Sequence, residues 1–270
     1  MLKAAIIDMY DGTPNLGMGS IFRLLDQQFP DIRYEVFDIR GKSEVPSLDF
    51  DIYISTGGPG HPLKGNEAWE KDYYQLLDDI WFHNEVHGSR KFLFFICHSF
   101  QIACDHFGIG SITPRPEDSF GVFRVAKTAK GREDQILSAL PDPFYAADFR
   151  SFQVIDPNRQ QIEQMGASIL AMEYHKNHEF PHLAIMAVRF SDAIYGVQFH
   201  PEAYPEGMIE YFQQEKRKKV VIEQFGRATY EEMMFHARDP IKVGLTNKKV
   251  LPGFLEYASR SLTCYPVTAD

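Results

Sequence analysis

Short apolar runs alternate with amphipathic stretches through the first part of the chain. Ala4 to Asp8 reads as a buried strand, followed by a polar loop from Tyr10 to Gly19. Ile21, Leu24, Leu25 and Phe29 then recur at helical spacing, with Ser20 as the expected cap. Ile32 to Ile39 and Phe50 to Ser55 predict two more strands, the second ending in Thr56-Gly57-Gly58-Pro59-Gly60. A helix from Glu67 to about His87 leads to Lys91 to Ile96, an almost wholly apolar run with the pattern of a strand buried on both faces of a parallel sheet. Repeated strand–helix units of this kind predict an α/β fold. Its sheet should be doubly wound and mostly parallel, with helices on both faces and ligands bound at the carboxyl ends of the strands.

The pattern then changes. Phe120 to Lys127, Phe152 to Ile155, Ser168 to Glu173 and Ala184 to Arg189 are short strand-like runs between polar turns, which predicts a small antiparallel addition. Gln160 to Met165 reads as a brief helix within it, and Ala193 to Phe199 as another strand, ending in His200-Pro201-Glu202. Glu206 to Ala237 is polar, charged and rich in methionine, as one or two amphipathic helices would be, and Asp239-Pro240 breaks it. Leu251 to Leu262 predicts a closing helix. The expected organisation is a main domain over 1–204, a helical insertion over 205–248, and a C-terminal helix over 249–270 packing back on the main domain.

The chemistry concentrates where the apolar run meets Cys97. Phe100, Ala103, Cys104 and Phe107 follow it at helical spacing, so strand turns into helix at one reactive side chain, as in a nucleophile elbow. Such a turn lifts the sulfur above the sheet edge and aims the positive end of the new helix at it. A cysteine after an apolar strand is otherwise usually a small buried hydrophobe. What favours chemistry is a second element: His200 can serve as base, and Glu202 can hold the imidazole if the backbone stays extended across Pro201. The N–H groups of His98, at the helix start, and Gly58, on the facing loop, are candidates to hold an oxyanion.

Gly57-Gly58-Pro59-Gly60, then Ile96-Cys97 with Gln101, then Gly196-Val197-Gln198-Phe199-His200-Pro201-Glu202 resemble in order and spacing the class I, triad-type glutamine amidotransferases, such as the glutaminase domains of GMP synthases. Ile7-Asp8 with Tyr10-Asp11 also looks like the opening of that family, and the resemblance spans roughly residues 3 to 204. It implies a flavodoxin-like fold. It also implies attack of Cys97 on the side-chain amide of glutamine, release of ammonia and hydrolysis of a glutamyl thioester, with Gln101 and Gly57 lining the substrate site. Family members commonly pass the ammonia to an ATP-dependent synthase. Phe95 and Ser99 stand where the family usually has glycine, and Phe95 is expected to press on the pocket floor. Phe149 to Val154 keeps only the valine of a family stretch that helps hold the amino-acid end of glutamine, and Arg150 reads as a surface arginine, the other reading being that it meets a carboxylate. These departures admit two alternatives: a stand-alone γ-glutamyl peptidase or hydrolase, or a non-catalytic regulatory relative.

Composition narrows the rest. A chain of 270 residues with 44% hydrophobic and 24% charged residues suits one large domain, or one with an appendage. The net charge of −9 argues against a nucleic-acid partner, and the basic run Lys216 to Lys219 reads as a solvated helix face. Three widely spaced cysteines suit a reducing cytoplasm, with Cys104 in the core and Cys264 without a visible partner. No signal peptide or membrane span is expected. His83 and His87 sit four apart, but no acidic or thiol ligand accompanies them, so no metal is expected. No cofactor is expected either: the glycine turn lacks the Lys-Ser/Thr of a phosphate loop, and no ATP-binding loop is present.

Overall fold

The computed structural model describes residues 1–63, 65, 67–174 and 183–264. Its elements in chain order are β1 (Leu2–Asp8), α1 (Gly17–Gln28), β2 (Ile32–Asp38), α2 (Ile39–Lys42), β3 (Ile52–Ser55), α3 (Ala68–Val86), β4 (Phe92–Ile96) and α4 (His98–His106). There follow β5 (Ser111–Lys127), α5 (Ala129–Glu133), β6 (Phe144–Ile155), α6 (Arg159–Met165), β7 (Ser168–Glu173), β8 (Ile185–Arg189) and β9 (Ile194–Val197). Four helices close the chain: α7 (Pro205–Gln213), α8 (Glu215–Phe225), α9 (Arg227–Ala237) and α10 (Val243–Cys264).

Among the described residues the strands form one nine-stranded sheet in the order β2-β1-β3-β4-β9-β8-β7-β5-β6. From β2 to β9 the pairings are parallel, and beyond β9 they are antiparallel. The antiparallel addition is therefore a continuation of the central sheet. Its β5–β6 hairpin is longer than the apolar pattern predicts, because the stretch around Arg115 to Asp118 is polar and carries an irregular register between Pro114 and Ser119.

Side chains of β4 alternate between two cores, as strand geometry requires. Phe92, Phe94 and Ile96 join Leu24 and Leu25 of α1 and Phe254 and Leu255 of α10, whereas Leu93 and Phe95 join Tyr73 and Leu77 of α3 and Phe100 of α4. This corrects the expectation for Phe95. It is fully buried, pairs in register with Gly196, packs edge-on against Phe190 at 5.7 Å, and lines neither of the cavities at the sheet edge. The missing side chain at Gly196 makes that room: a Cβ there would lie 2.8 Å from Phe100 and 3.1 Å from the Phe95 Cβ.

Two helix boundaries also differ from the pattern. Ser20 does not cap α1; its hydroxyl donates back to the Leu16 carbonyl, while Asn15 Oδ1 accepts from Met18 N at 2.9 Å. The closing helix begins at Val243, eight residues before the expected Leu251, and runs through Pro252. Its buried face reaches Phe94 through Phe254, ring centroids 4.9 Å apart. Helices α7 to α9 make a third core with the β5–β6 hairpin, built on Met208, Phe212, Val221, Met233 and Met234. No described helix is long and apolar enough to cross a membrane.

Candidate active site

The elbow forms where β4 ends. Cys97 adopts φ 50° and ψ −98°, a strained backbone for a residue with a Cβ, and is itself the N-cap of α4. Its N–H donates to the Val197 carbonyl at 2.8 Å, and its carbonyl accepts from Gln101 N, so sheet and helix both hold the turn. Ser99, in place of the family glycine, fits this geometry by bonding it. Its hydroxyl accepts from Ile96 N at 3.0 Å and donates to the Ser55 carbonyl at 2.7 Å.

His200 follows β9, the neighbour of β4. Its N–H donates to the Ala147 carbonyl of β6 at 2.8 Å, and Nδ1 meets Glu202 Oε1 at 2.8 Å. The chain does not stay extended across Pro201. It turns, with Ala203 N donating to the His200 carbonyl, and the turn rather than an extended strand brings the carboxylate under the ring. Asn247 of α10 clamps that turn by donating to the Pro201 and Glu202 carbonyls at 3.1 and 3.0 Å. With Nδ1 occupied by Glu202, the other ring nitrogen is left for Cys97, whose sulfur is near enough to act on the charge of the imidazole. Burial alone would lower the His200 pKa. The Glu202 charge and then the Cys97 sulfur more than offset it, so His200 titrates well above the usual imidazole range.

Cys97 is 6% exposed and Glu202 2%, so both sit behind the surface but at its edge. Phe149 O lies 3.8 Å and Gln198 Nε2 3.7 Å from the sulfur. Neither contact was foreseen, although Gln198 stands inside the motif that ends at Glu202. Gln101 lies in the cavity wall, but its amide nitrogen is engaged by the Phe152 carbonyl and Gln198 Oε1, each at 3.0 Å, so it also positions β6 and Gln198.

The facing loop supplies Gly57 and Gly58. A Cβ on Gly57 would come 2.9 Å from the His200 ring, and one on Gly58 would overlap the Met9 carbonyl, so both positions demand glycine. Neither Gly58 N–H nor His98 N–H donates to an acceptor among the described residues. Arg40 ties the loop to β1 by donating from Nη1 to the Met9 and Pro59 carbonyls. Tyr10 is a further site residue that sequence reasoning quoted only as part of a motif. Its buried hydroxyl lies close to Gly17 and Gly57, and burial, Glu202 and Cys97 push its pKa far up.

Arg150 is buried, a second correction. Its guanidinium pairs with Asp148 at 2.9 Å and with Glu173 Oε1 at 3.5 Å, and Arg115 donates to the same Glu173 oxygen at 2.9 Å. Burial would raise the Glu173 carboxyl pKa, but Arg115 and Arg150 hold it below the usual range. The His98 side chain is also buried. Burial, then Arg40 and His61, push its pKa down to about 4, and its Nε2 has no partner among the described residues.

Two cavities meet at Cys97. One, about 520 Å³, is lined by polar groups including His98, Gln101, Asp118, Ser119, Arg150 and Ser151. The other, about 370 Å³, contains His200 and Glu202 and is otherwise walled mainly by apolar side chains, among them Phe120, Met208, Phe212, Val221 and Phe225. Among the described residues no group of three or more His, Cys, Asp or Glu could hold a metal; His83 bonds the Ser89 carbonyl, and His87 falls just past the end of α3. Cys104 is fully buried, and the Cys264 side chain lies outside the described residues.

A strand-to-helix cysteine, with a glutamate-held histidine from the neighbouring strand and a double glycine opposite, is an arrangement fit for acyl transfer. The family model for glutamine amidotransferase class-I matches residues 16–217, and the chain belongs to that family. No curated protein sequence matches it. Among solved structures, it resembles a glutamine amidotransferase from Thermotoga maritima, with TM-score 0.68 and 15% identity over 97% of each chain. A glutamine amidotransferase from Methylobacillus flagellatus has TM-score 0.68 and 15% identity, over 100% of this chain and 99% of that one. The glutaminase domain of Trypanosoma brucei CTPS with bound acivicin has TM-score 0.53 and 13% identity, over 75% of this chain and 86% of that one. At these identities the structural likeness speaks for the fold, which is the α/β fold of class I glutamine amidotransferases.

Proposed function

We propose that the chain is a thiol hydrolase of γ-glutamyl amides, glutamine being the simplest of them. The observation that carries this reading is the 2.8 Å bond from His200 Nδ1 to the buried Glu202, which turns the other imidazole nitrogen to a sulfur at the N-terminus of α4. In the proposed reaction, His200 has taken the Cys97 proton, as its raised pKa favours, and the sulfur bonds to the amide carbon. The carbonyl oxygen takes up negative charge against the Gly58 and His98 N–H groups. As the C–N bond breaks, His200 gives that proton to the leaving nitrogen, and the free amine or ammonia departs. Water then attacks the thioester, losing a proton to His200. The C–S bond breaks, glutamate leaves and the thiol regains its proton.

Family membership favours ammonia released from glutamine and handed to a separate ATP-using synthase. The apolar cavity beside His200 favours the stand-alone hydrolase instead. In either case a glutamine-analogue electrophile should label Cys97 at neutral pH and spare the buried Cys104, whose thiol pKa burial raises well above its usual value. Cys97→Ser should abolish both labelling and hydrolysis. An unlabelled Cys97 without turnover would sink the proposal and leave a non-catalytic relative, and turnover that survives its replacement would sink it by placing the chemistry on another group.

A further inference from the structure

The two cavities differ in what they can accept, and the order of proton transfers tells which end of the substrate enters each. This inference rests on the thiol-hydrolase reading above. His200 must protonate the leaving nitrogen, so the leaving group has to depart on the His200 side of the sulfur. His200 and Glu202 line the 370 Å³ cavity and not the polar one; His98 and Gln101 line only the polar one; Cys97 and Gly58 line both. The charged α-amino and α-carboxylate ends of a glutamyl group therefore suit the polar cavity. The amine it is joined to belongs in the apolar one.

Ammonia does not need such a space. A molecule of that size is held by roughly 15 Å³, against about 370 Å³ here. Nor is the cavity an incidental gap in the central domain. Its outer wall is α7 and α8, the helices that the sequence reads as an insertion, with Phe225 stacked on Phe120 of the hairpin at 4.4 Å. Apart from His200, one cation lines it: Arg217, which lies over the Tyr211 ring at 4.6 Å and has no ion pair among the described residues. We infer that the substrate is a γ-glutamyl dipeptide whose second residue is apolar or aromatic, its side chain enclosed by α7 and α8 and its carboxylate facing Arg217. The basic run that reads as a solvated face thus contributes one residue to specificity.

The test compares kcat/KM of the full chain for glutamine, γ-glutamylglycine, γ-glutamylphenylalanine and γ-glutamylphenylalanine amide. Enclosing an aromatic side chain should favour γ-glutamylphenylalanine over γ-glutamylglycine by about 10- to 100-fold. Phe225→Ala and Val221→Asp should reduce that ratio mainly through KM. Arg217→Gln should bring the free dipeptide down to the level of its amide. Because Val221→Asp disturbs a buried position, Phe225→Ala and Arg217→Gln, both on partly exposed residues, keep the test independent of folding. Equal or better turnover of glutamine or γ-glutamylglycine, or a ratio untouched by Phe225→Ala and Arg217→Gln, overturns the inference while the hydrolase reading stands. Failure of Cys97 to react with any γ-glutamyl compound or glutamine-analogue electrophile overturns the hydrolase reading, and this inference with it.

Discussion

Replacing Glu202 by glutamine tests the proposed site most directly, because it keeps shape and removes charge. The carboxylate is 2% exposed and meets His200 Nδ1 at 2.8 Å. A buried hydrogen bond to a charged partner is worth about 1.5–3 kcal/mol, which alone predicts a loss of roughly 10- to 150-fold in kcat. Loss of control over the tautomer adds to this and can carry the total to about 10⁴-fold. The pH dependence carries the sign. Glu202 and Cys97 hold the His200 pKa well above its usual value despite burial, so the stabilisation from this pair is complete below the unfolded value, about 6.5. It is lost as pH rises through the raised folded value. Removing the glutamate should bring that transition down in pH. The assay is a pH profile of kcat/KM for Glu202→Gln beside the parent chain, with a urea midpoint at pH 6 and pH 9. A variant with parental kcat and an unmoved alkaline limb would refute the role given to Glu202.

Three other outcomes follow from the geometry. The neutral, buried His98 should make the fold acid-sensitive: with its pKa lowered to about 4, stability falls as pH drops from about 6.5 to 4, by on the order of 3 kcal/mol, and a His98→Gln variant should show a flatter urea midpoint over that range. Arg40→Ala frees the Gly57–Gly60 loop from the Met9 and Pro59 carbonyls, so kcat should fall about tenfold with little change in KM; an unchanged kcat would show that the loop needs no tether. Phe254→Ala removes a fully buried ring that touches Phe92, Phe94 and Tyr195, and should cost about 3–5 kcal/mol by chemical denaturation.

The parallel half of the sheet was legible because most of its strands are apolar runs such as Phe92 to Ile96, and because a glycine turn marks the end of β3. Cys97, His200 and Glu202 could be brought together on paper since each stands at the end of such a run. What could not be read depends on partners far along the chain. Phe95 stays out of the pocket only because Gly196 lies beside it on the next strand, and Arg150 is buried only because Asp148 and Glu173 neutralise it. The full length of the β5–β6 hairpin escaped notice because its polar segment is held by cross-strand pairing rather than by apolar alternation. The purpose of α7 and α8 was hidden for a similar reason: apolar stripes look the same whether they face a core or a hollow.

The side-chain amide of Asn247 has a consequence for where this protein can be cut. The family boundary falls at 217, yet the grip on the turn beneath the imidazole comes from a helix that begins at 243. A fragment ending at 217 would keep every parallel strand and still lose its hold on Glu202, the acid proposed to orient the base. If Glu202 has the proposed role, the shortest chain able to work as a unit extends well past the region that defines its kinship.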